Sequence, residues 1–399
     1  MVATTTAARM TDALRNREFR ALWIAEAQSV LGDHLTTVAL SIVVYSRTGS
    51  ALWAAGVYAL TFLPALAGGL GLSQIADRLP RKTVLVASAV IQAVFVGAMA
   101  IPGMPLAPLC VLVVLARLAG APANAAQNAL TREVFADDEL YLRSQDLRGI
   151  TSNIAMLIGL AGGGLLVTSF GASWALAIDA FTFLVAAFLV QIWVRQRPAA
   201  GDPSDGWFSA VRWVWGQRRL RVLLALSWLV GLAVIPEGLA APLAEQIGAS
   251  EQAVGWLLAA DPVGFILGTF VLSRYVSVEN RKRVMGVLAT LAAAVLIGFA
   301  ATPTLPFALL LLMLAGAAGA YIITVGATFI TWVPNDKRGG AGGVYRTGLR
   351  VAQGLGVALG GVVADLVGSA TIAIALAGVA GVVLTIPVAL SWARVQKTG

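Results

Sequence analysis

A few charged and polar side chains interrupt otherwise apolar stretches of this chain, and their spacing groups them. Glu26, Asp33 and Thr37 stand at i, i+7 and i+11, which puts all three on one face of a helix. Arg117, Asn124 and Asn128 repeat that spacing elsewhere. Glu237 follows Pro236 and Asp261 precedes Pro262, again within apolar runs. Such groups can carry a proton, pair with each other or hold a polar part of a ligand. A charge inside an apolar span costs about 2.5–3.5 kcal/mol on insertion scales, so each is a functional candidate. His34, the single histidine, points away from the Asp33 face by about 100°. An imidazole titrates near neutral pH, so His34 is a candidate proton relay. Asp179, also within an apolar run, is expected to hydrogen-bond between helices.

Other chemistries find little support. One histidine and no nucleophile–base motif leave small room for hydrolysis. No Walker-type phosphate loop is present, so ATP is not the expected power source. No Cys/His cluster suggests a metal, and no cofactor is expected. The single cysteine, Cys110, excludes an internal disulfide.

The elements that must position these residues are membrane spans. The chain is 58% hydrophobic and 12% charged over 399 residues, about half the charge of a soluble protein. A helix needs about 20 apolar residues to cross the hydrocarbon. Twelve runs qualify: 19–45, 52–75, 83–101, 106–131, 147–168, 172–194, 221–243, 252–273, 284–301, 305–331, 342–366 and 370–392, numbered here as spans 1 to 12. They are too long and too uniformly apolar for barrel strands. Turn residues separate them, as at Thr48-Gly49-Ser50, Phe170-Gly171, Thr302-Pro303 and Val367-Gly368. With the N-terminus in the cytoplasm, every Lys and Arg falls on the cytoplasmic side except Arg47, Arg117 and Arg350. The expected protein is therefore a multi-pass protein of the cell membrane with both termini cytoplasmic. Its net charge of +8 faces lipid headgroups rather than nucleic acid. The polar, basic stretch Met1 to Arg20 has no apolar core and does not read as a cleavable signal peptide.

The sequence also repeats. Gly68, Leu72, Ser73, Arg81, Lys82 and Val84 recur as Gly268, Leu272, Ser273, Arg281, Lys282 and Val284, at an offset of 200. Gly159, Ala161, Gly163, Gly164 and Gly171 recur as Gly356, Ala358, Gly360, Gly361 and Gly368, at an offset of 197. A duplicated hydrophobic half is a mark of secondary transporters, whose halves move around a central site. The expected organisation is a six-helix half over 1–194, a cytoplasmic linker over 195–220 and a second six-helix half over 221–399. Within the linker, Trp207, Phe208, Val211, Arg212, Trp215, Arg218 and Arg219 predict an amphipathic helix on the inner leaflet.

The loop Ser73-Gln74-Ile75-Ala76-Asp77-Arg78-Leu79-Pro80-Arg81-Lys82 resembles the signature loop of the major facilitator superfamily, with Ser73 and Pro80 where that pattern has glycines. Leu115 to Pro122 resembles the span-4 arginine motif of its exporters. Gly159 to Gly164 resembles their span-5 glycine motif, with Leu160 where proline is usual. Ile178 to Phe183 and Leu257 to Gly268 are similar to the branch that exports drugs, macrolides and siderophores. The resemblance implies an all-α membrane fold of twelve helices in two pseudo-symmetric bundles. It implies that Asp77, Arg78, Arg81 and Lys82 form a conformational loop, with Asp77 facing the start of span 11 near Gly339 to Gly342. It implies a non-enzymatic exporter of a lipophilic or amphipathic small molecule, driven by proton antiport and working as a monomer. A specific siderophore or metabolite transporter, a membrane sensor of the same fold and an intramembrane lipid enzyme are the alternatives. Cavity candidates are Thr37, Tyr58, Phe62, Asn124, Asn128, Tyr321, Thr324, Thr328 and Arg350. The proton-coupling candidates are Asp33, Arg117, Glu237, Asp261, Glu26 and His34.

Overall fold

The computed structural model describes residues 10–62, 79–135, 137–198 and 207–397. Among them, eleven helices are long and apolar enough to cross a membrane, including Arg17–Thr48 (span 1), Leu106–Val134 (span 4), Asp138–Phe170 (span 5) and Arg338–Val367 (span 11). Span 2 is represented by Ala51–Leu60, and its predicted run beyond residue 62 lies outside the described residues, as do Asp77 and Arg78.

Spans 5 and 7 depart from the hydrophobic runs for local reasons. Span 5 begins at Asp138 rather than 147, because Asp138 and Glu139 favour a helix N-terminus and the polar turns after them continue the helix. Span 7 is broken into Arg218–Trp228, Val230–Ala233, Ile235–Gly238 and Ala240–Gln246, around a proline that lacks a backbone donor. Span 8, by contrast, runs unbroken through Pro262 over Gln252–Tyr275. There the Asp261 carbonyl lies against Gly316 of span 10 rather than opening to a cavity.

The turns follow the repeat. Gly171 and Gly368, 197 residues apart, both end a long span with positive φ, at 88° and 67°. Ser50 caps span 2 by accepting a hydrogen bond from the Trp53 N–H.

Contacts group the chain into two compact units. The first takes Met1–Thr36, Gly71–Gly159 and Ser173–Pro203. Its core joins Leu22 and Ala25 of span 1 to Val84, Leu85, Ala126, Leu130, Ala186 and Val190. The second takes Thr37–Leu70, Leu160–Ala172 and Ser204–Gly399. Its core joins Leu223, Met285, Phe329, Tyr345 and Trp392. The linker helix, Trp207–Gly216, belongs to this unit. It buries Val214 completely and sets Ala210 against Gly340 at the start of span 11, while Phe208 and Trp215 stay exposed.

Span faces are sorted by size rather than polarity. Ile150, Ile154, Ile158 and Leu165 of span 5 point outward, as do Leu355, Leu359, Val362 and Leu366 of span 11. Glycines face the neighbouring helices. Gly159 lies on Leu31 and His34 of span 1, and its counterpart Gly356 lies on Gly231 of span 7. Gly163 meets Val38, and Gly360 meets Ile235. Gly164 meets Gln252 of span 8, and Gly361 meets Ala51 and Ala55 of span 2. The partners repeat as well: 34 and 231, 38 and 235, and 55 and 252 are all 197 apart. The duplication in sequence is thus a duplication of helix contacts, with close backbone approach as in other membrane bundles.

A Cβ on Gly356 would stand 1.9 Å from the Gly231 carbonyl oxygen, whereas one on Gly162 would meet nothing within 4 Å. Overpacking typically costs about 1–3 kcal/mol. Gly356→Ala is therefore expected to lower the thermal unfolding midpoint of the detergent-purified protein by several degrees, and Gly162→Ala to leave it unchanged.

Candidate functional site

In the first unit, the face of span 1 that carries Glu26 and Asp33 meets two arginines. The Arg117 Nη1 donates to Asp33 Oδ1 at 2.5 Å, so the two stripes with matching spacing meet through their charges. Arg148 grips Glu26 with both ends of its guanidinium, at 2.5 and 2.7 Å, in the bidentate geometry that suits a carboxylate. Its remaining nitrogen donates to Gln145 Oε1 at 2.7 Å and Asn128 Oδ1 at 3.2 Å. Arg148 was expected among the cytoplasmic basic residues. Its side chain is 8% exposed and packs among the helices through these contacts. Asp179 is fully buried and accepts a hydrogen bond from Thr36 Oγ1 at 2.6 Å, joining span 6 to span 1 as expected. His34 lies opposite Gly159, toward span 5.

At the end that carries the arginine-rich loops, Arg81 pairs with Glu133, and Lys82 donates to the Gln191 carbonyl at 2.8 Å. Arg197 of the linker bridges Glu18, at 2.5 and 2.9 Å, and approaches Glu133 at 3.7 Å. The hydrogen bond to Glu18 raises the Arg197 pKa above its ordinary value. Two residues of the signature loop are thus tied to the ends of spans 4 and 6, with the linker held beside them.

The second unit holds a cavity of about 200 Å³. Glu237, Asp261, Arg350, Gln353 and Tyr321 line it, with alanines from spans 9 and 10 forming much of the wall. Tyr58 of span 2 donates to Glu237 Oε2 at 2.5 Å, and its ring lies 6.0 Å from that of Phe62. The Arg350 guanidinium sits 6.0 Å above the Phe62 ring and donates to Gln353 at 3.3 Å. The Tyr321 hydroxyl is spent on the Leu226 carbonyl at 2.9 Å. Thr324 and Thr328 do not line this cavity. Thr328 is buried and donates to the Thr324 carbonyl of its own helix. Thr37 is buried and its carbonyl accepts from Ser41, while Asn124 is exposed. Two carboxylates and one guanidinium in an alanine-rich wall make a site for a cationic or hydrogen-bonding group on an apolar body.

One polar contact went unread in the sequence. Asp365, near the end of span 11, accepts from Ser50 Oγ at 2.6 Å and from the Leu52 N–H at 3.2 Å. A carboxylate there complements the first turn of span 2. This contact lies at the end of the spans remote from the arginine-rich loops. The signal was an acidic residue at a span edge, which reads as solvated unless a partner is in view.

Comparison with known proteins adds a consistent picture. A family model described as transmembrane secretion effector, of the major facilitator type, matches residues 9–398. The multidrug efflux pump Tap of Mycolicibacterium fortuitum is 26% identical over 357 residues, covering 84% of this chain and 87% of that protein. The pump of that name from Mycobacterium tuberculosis is 28% identical over 381 residues, covering 88% of each. Among solved structures, the nucleoside transporter NupG aligns with a TM-score of 0.75 at 17% identity, over 94% of this chain and 99% of that one. A bacterial homologue of the human lysosomal transporter Spinster, inward-facing and unoccupied, aligns with a TM-score of 0.73 at 16% identity, over 95% and 96%. The structures share the fold, and fold alone does not fix a substrate.

The Glu26–Arg148 grip generates a stability prediction. Removing one partner of a buried pair strands the other and typically costs about 3–5 kcal/mol. Arg148→Met is expected to lower the thermal midpoint sharply, and Glu26→Gln combined with it to recover part of the loss. Equal midpoints for the single and double variants would show that the two side chains do not depend on each other.

Proposed function

The chain belongs to the transmembrane secretion effector family of the major facilitator superfamily, and from that membership we propose that it exports a lipophilic or amphipathic small molecule by proton antiport. Two six-helix halves, 1–194 and 221–399, rock about a central cavity and expose it to either side in turn. The basic loops favour cytoplasmic termini and insertion in the cell membrane, and one chain contains both halves, so a monomer suffices. Export rather than import is supported by the efflux pumps that match most of the chain.

The observation that carries proton coupling is the Asp33–Arg117 pair within the apolar length of span 1. Protonating Asp33 removes the charge that Arg117 holds, frees the guanidinium and shifts the balance between conformations. An inward proton draws about 2.3 kcal/mol from a 100 mV potential, before any contribution of the pH gradient. The Tyr58–Glu237 bond and Asp261 supply a second carboxylate site beside the cavity. Its two acids and one arginine suit a cationic or neutral substrate with an apolar body better than an anion.

Drug susceptibility of an efflux-deficient host that expresses the chain tests this reading. Wild type is expected to raise tolerance to at least one amphipathic compound and to lower its cellular accumulation, an effect that an uncoupler removes. Asp33→Asn is expected to return both to the level of the empty host while the purified variant still binds that compound. Normal efflux by Asp33→Asn would remove Asp33 from the coupling.

A further inference from the structure

Asp179 is a carboxyl with a neighbourhood made for a neutral group. It is fully buried in span 6. Its Oδ2 receives the Thr36 hydroxyl at 2.6 Å, and Thr182 Oγ1 lies 3.3 Å from Oδ1. That second hydroxyl has its better acceptor in the Asp179 carbonyl, at 2.7 Å. The carboxyl therefore has one well-made hydrogen bond, from a neutral donor. Its charged neighbours are Asp33 on span 1 and Arg117 on span 4, which both act on it electrostatically. Arg117 is already engaged with Asp33 at 2.5 Å. One guanidinium thus stands near two carboxyls and touches only Asp33, and a buried negative charge on Asp179 would be costly unless neutralised.

The backbone of span 1 seals the site. A Cβ on Gly32 would lie 2.2 Å from Asp179 Oδ1 and 2.7 Å from Thr182 Oγ1, so only glycine lets the helix approach this closely. The site is shaped around Asp179 rather than merely tolerating it.

We propose that Asp179 is a proton-binding site of this transporter, loaded while Asp33 holds Arg117. In the exchange, the O–H bond of Asp179 breaks and its proton passes to the Asp33 carboxylate. Arg117 then leaves Asp33 and pairs with Asp179. The cluster keeps its net charge throughout, and the proton has moved from span 6 to span 1. Asp33 is then the neutral member, able to release its proton once the cavity changes side. The exchange deepens the antiport reading and rests on it, but the proton on Asp179 is a property of the resting protein and is measured without any substrate.

Infrared spectroscopy of the purified protein in lipid, stepped through pH, tests the site. Wild type is expected to show the carbonyl-stretch band of a protonated carboxylic acid at neutral pH. Asp179→Asn should lose that band. Thr36→Val keeps the shape of the side chain but removes the hydroxyl donor, and should move the band to higher frequency. If Asp179→Asn does not fold, Thr36→Val decides alone. A band that survives in Asp179→Asn, or that keeps its position in Thr36→Val, overturns the proposal. Wild-type efflux that ignores the pH gradient, with the band present and lost as stated, would overturn antiport and leave the proton site standing.

Discussion

Close approach of helix backbones is the constraint on which this structure depends. In lipid, burying apolar side chains gives little drive for helices to associate, so the packing itself must hold them. The chain meets that demand with glycines on the inward faces and large aliphatic side chains outside. Gly159, Gly163 and Gly164 seat span 5 on spans 1 and 8, and Gly356, Gly360 and Gly361 seat span 11 on spans 7 and 2. The same offset relates the glycines and the residues they touch. One ancestral contact surface, copied, accounts for both sets.

Charge works within that frame. Each ion inside the spans has a cost that a partner must offset, and the partners come from helices distant in sequence. Glu26 is held by Arg148 in a closed network with Asn128 and Gln145, an arrangement that suits a permanent strut. Asp33 and Arg117 make a single contact, with Asp179 nearby as a second claimant on the same guanidinium. Two ion pairs thus stem from one helical face, seven residues apart.

Part of this was legible in the sequence. The spans and their breaks at Gly171 and Gly368 follow from apolar runs and turn chemistry. The early start of span 5 was not legible, because hydropathy marks where lipid begins, not where a helix begins. Span 5 continues through its polar turns to Asp138. Tyr58 and Glu237 were each visible as polar groups in spans. Their bond, across 179 residues, depends on how spans 2 and 7 pack and has no local signature. The break in span 7 without one in span 8 shows the same limit. Both have a proline, and only span 7 is broken around it.

The outer contacts give the account its most direct test. Spans 2 and 11 touch at Gly361 and are tied by Ser50 and Asp365 at the ends remote from the basic loops. A transporter that opens to that side must part them. Cys110 is the only native cysteine, so replacing it by alanine gives a clean background for the pair Ser50→Cys and Asp365→Cys. The measurement is transport by this protein before oxidation or a short thiol cross-linker, after it, and after reduction. The account predicts efficient cross-linking, arrest of transport and, for the disulfide, recovery with reductant. Full transport by the cross-linked protein would contradict it.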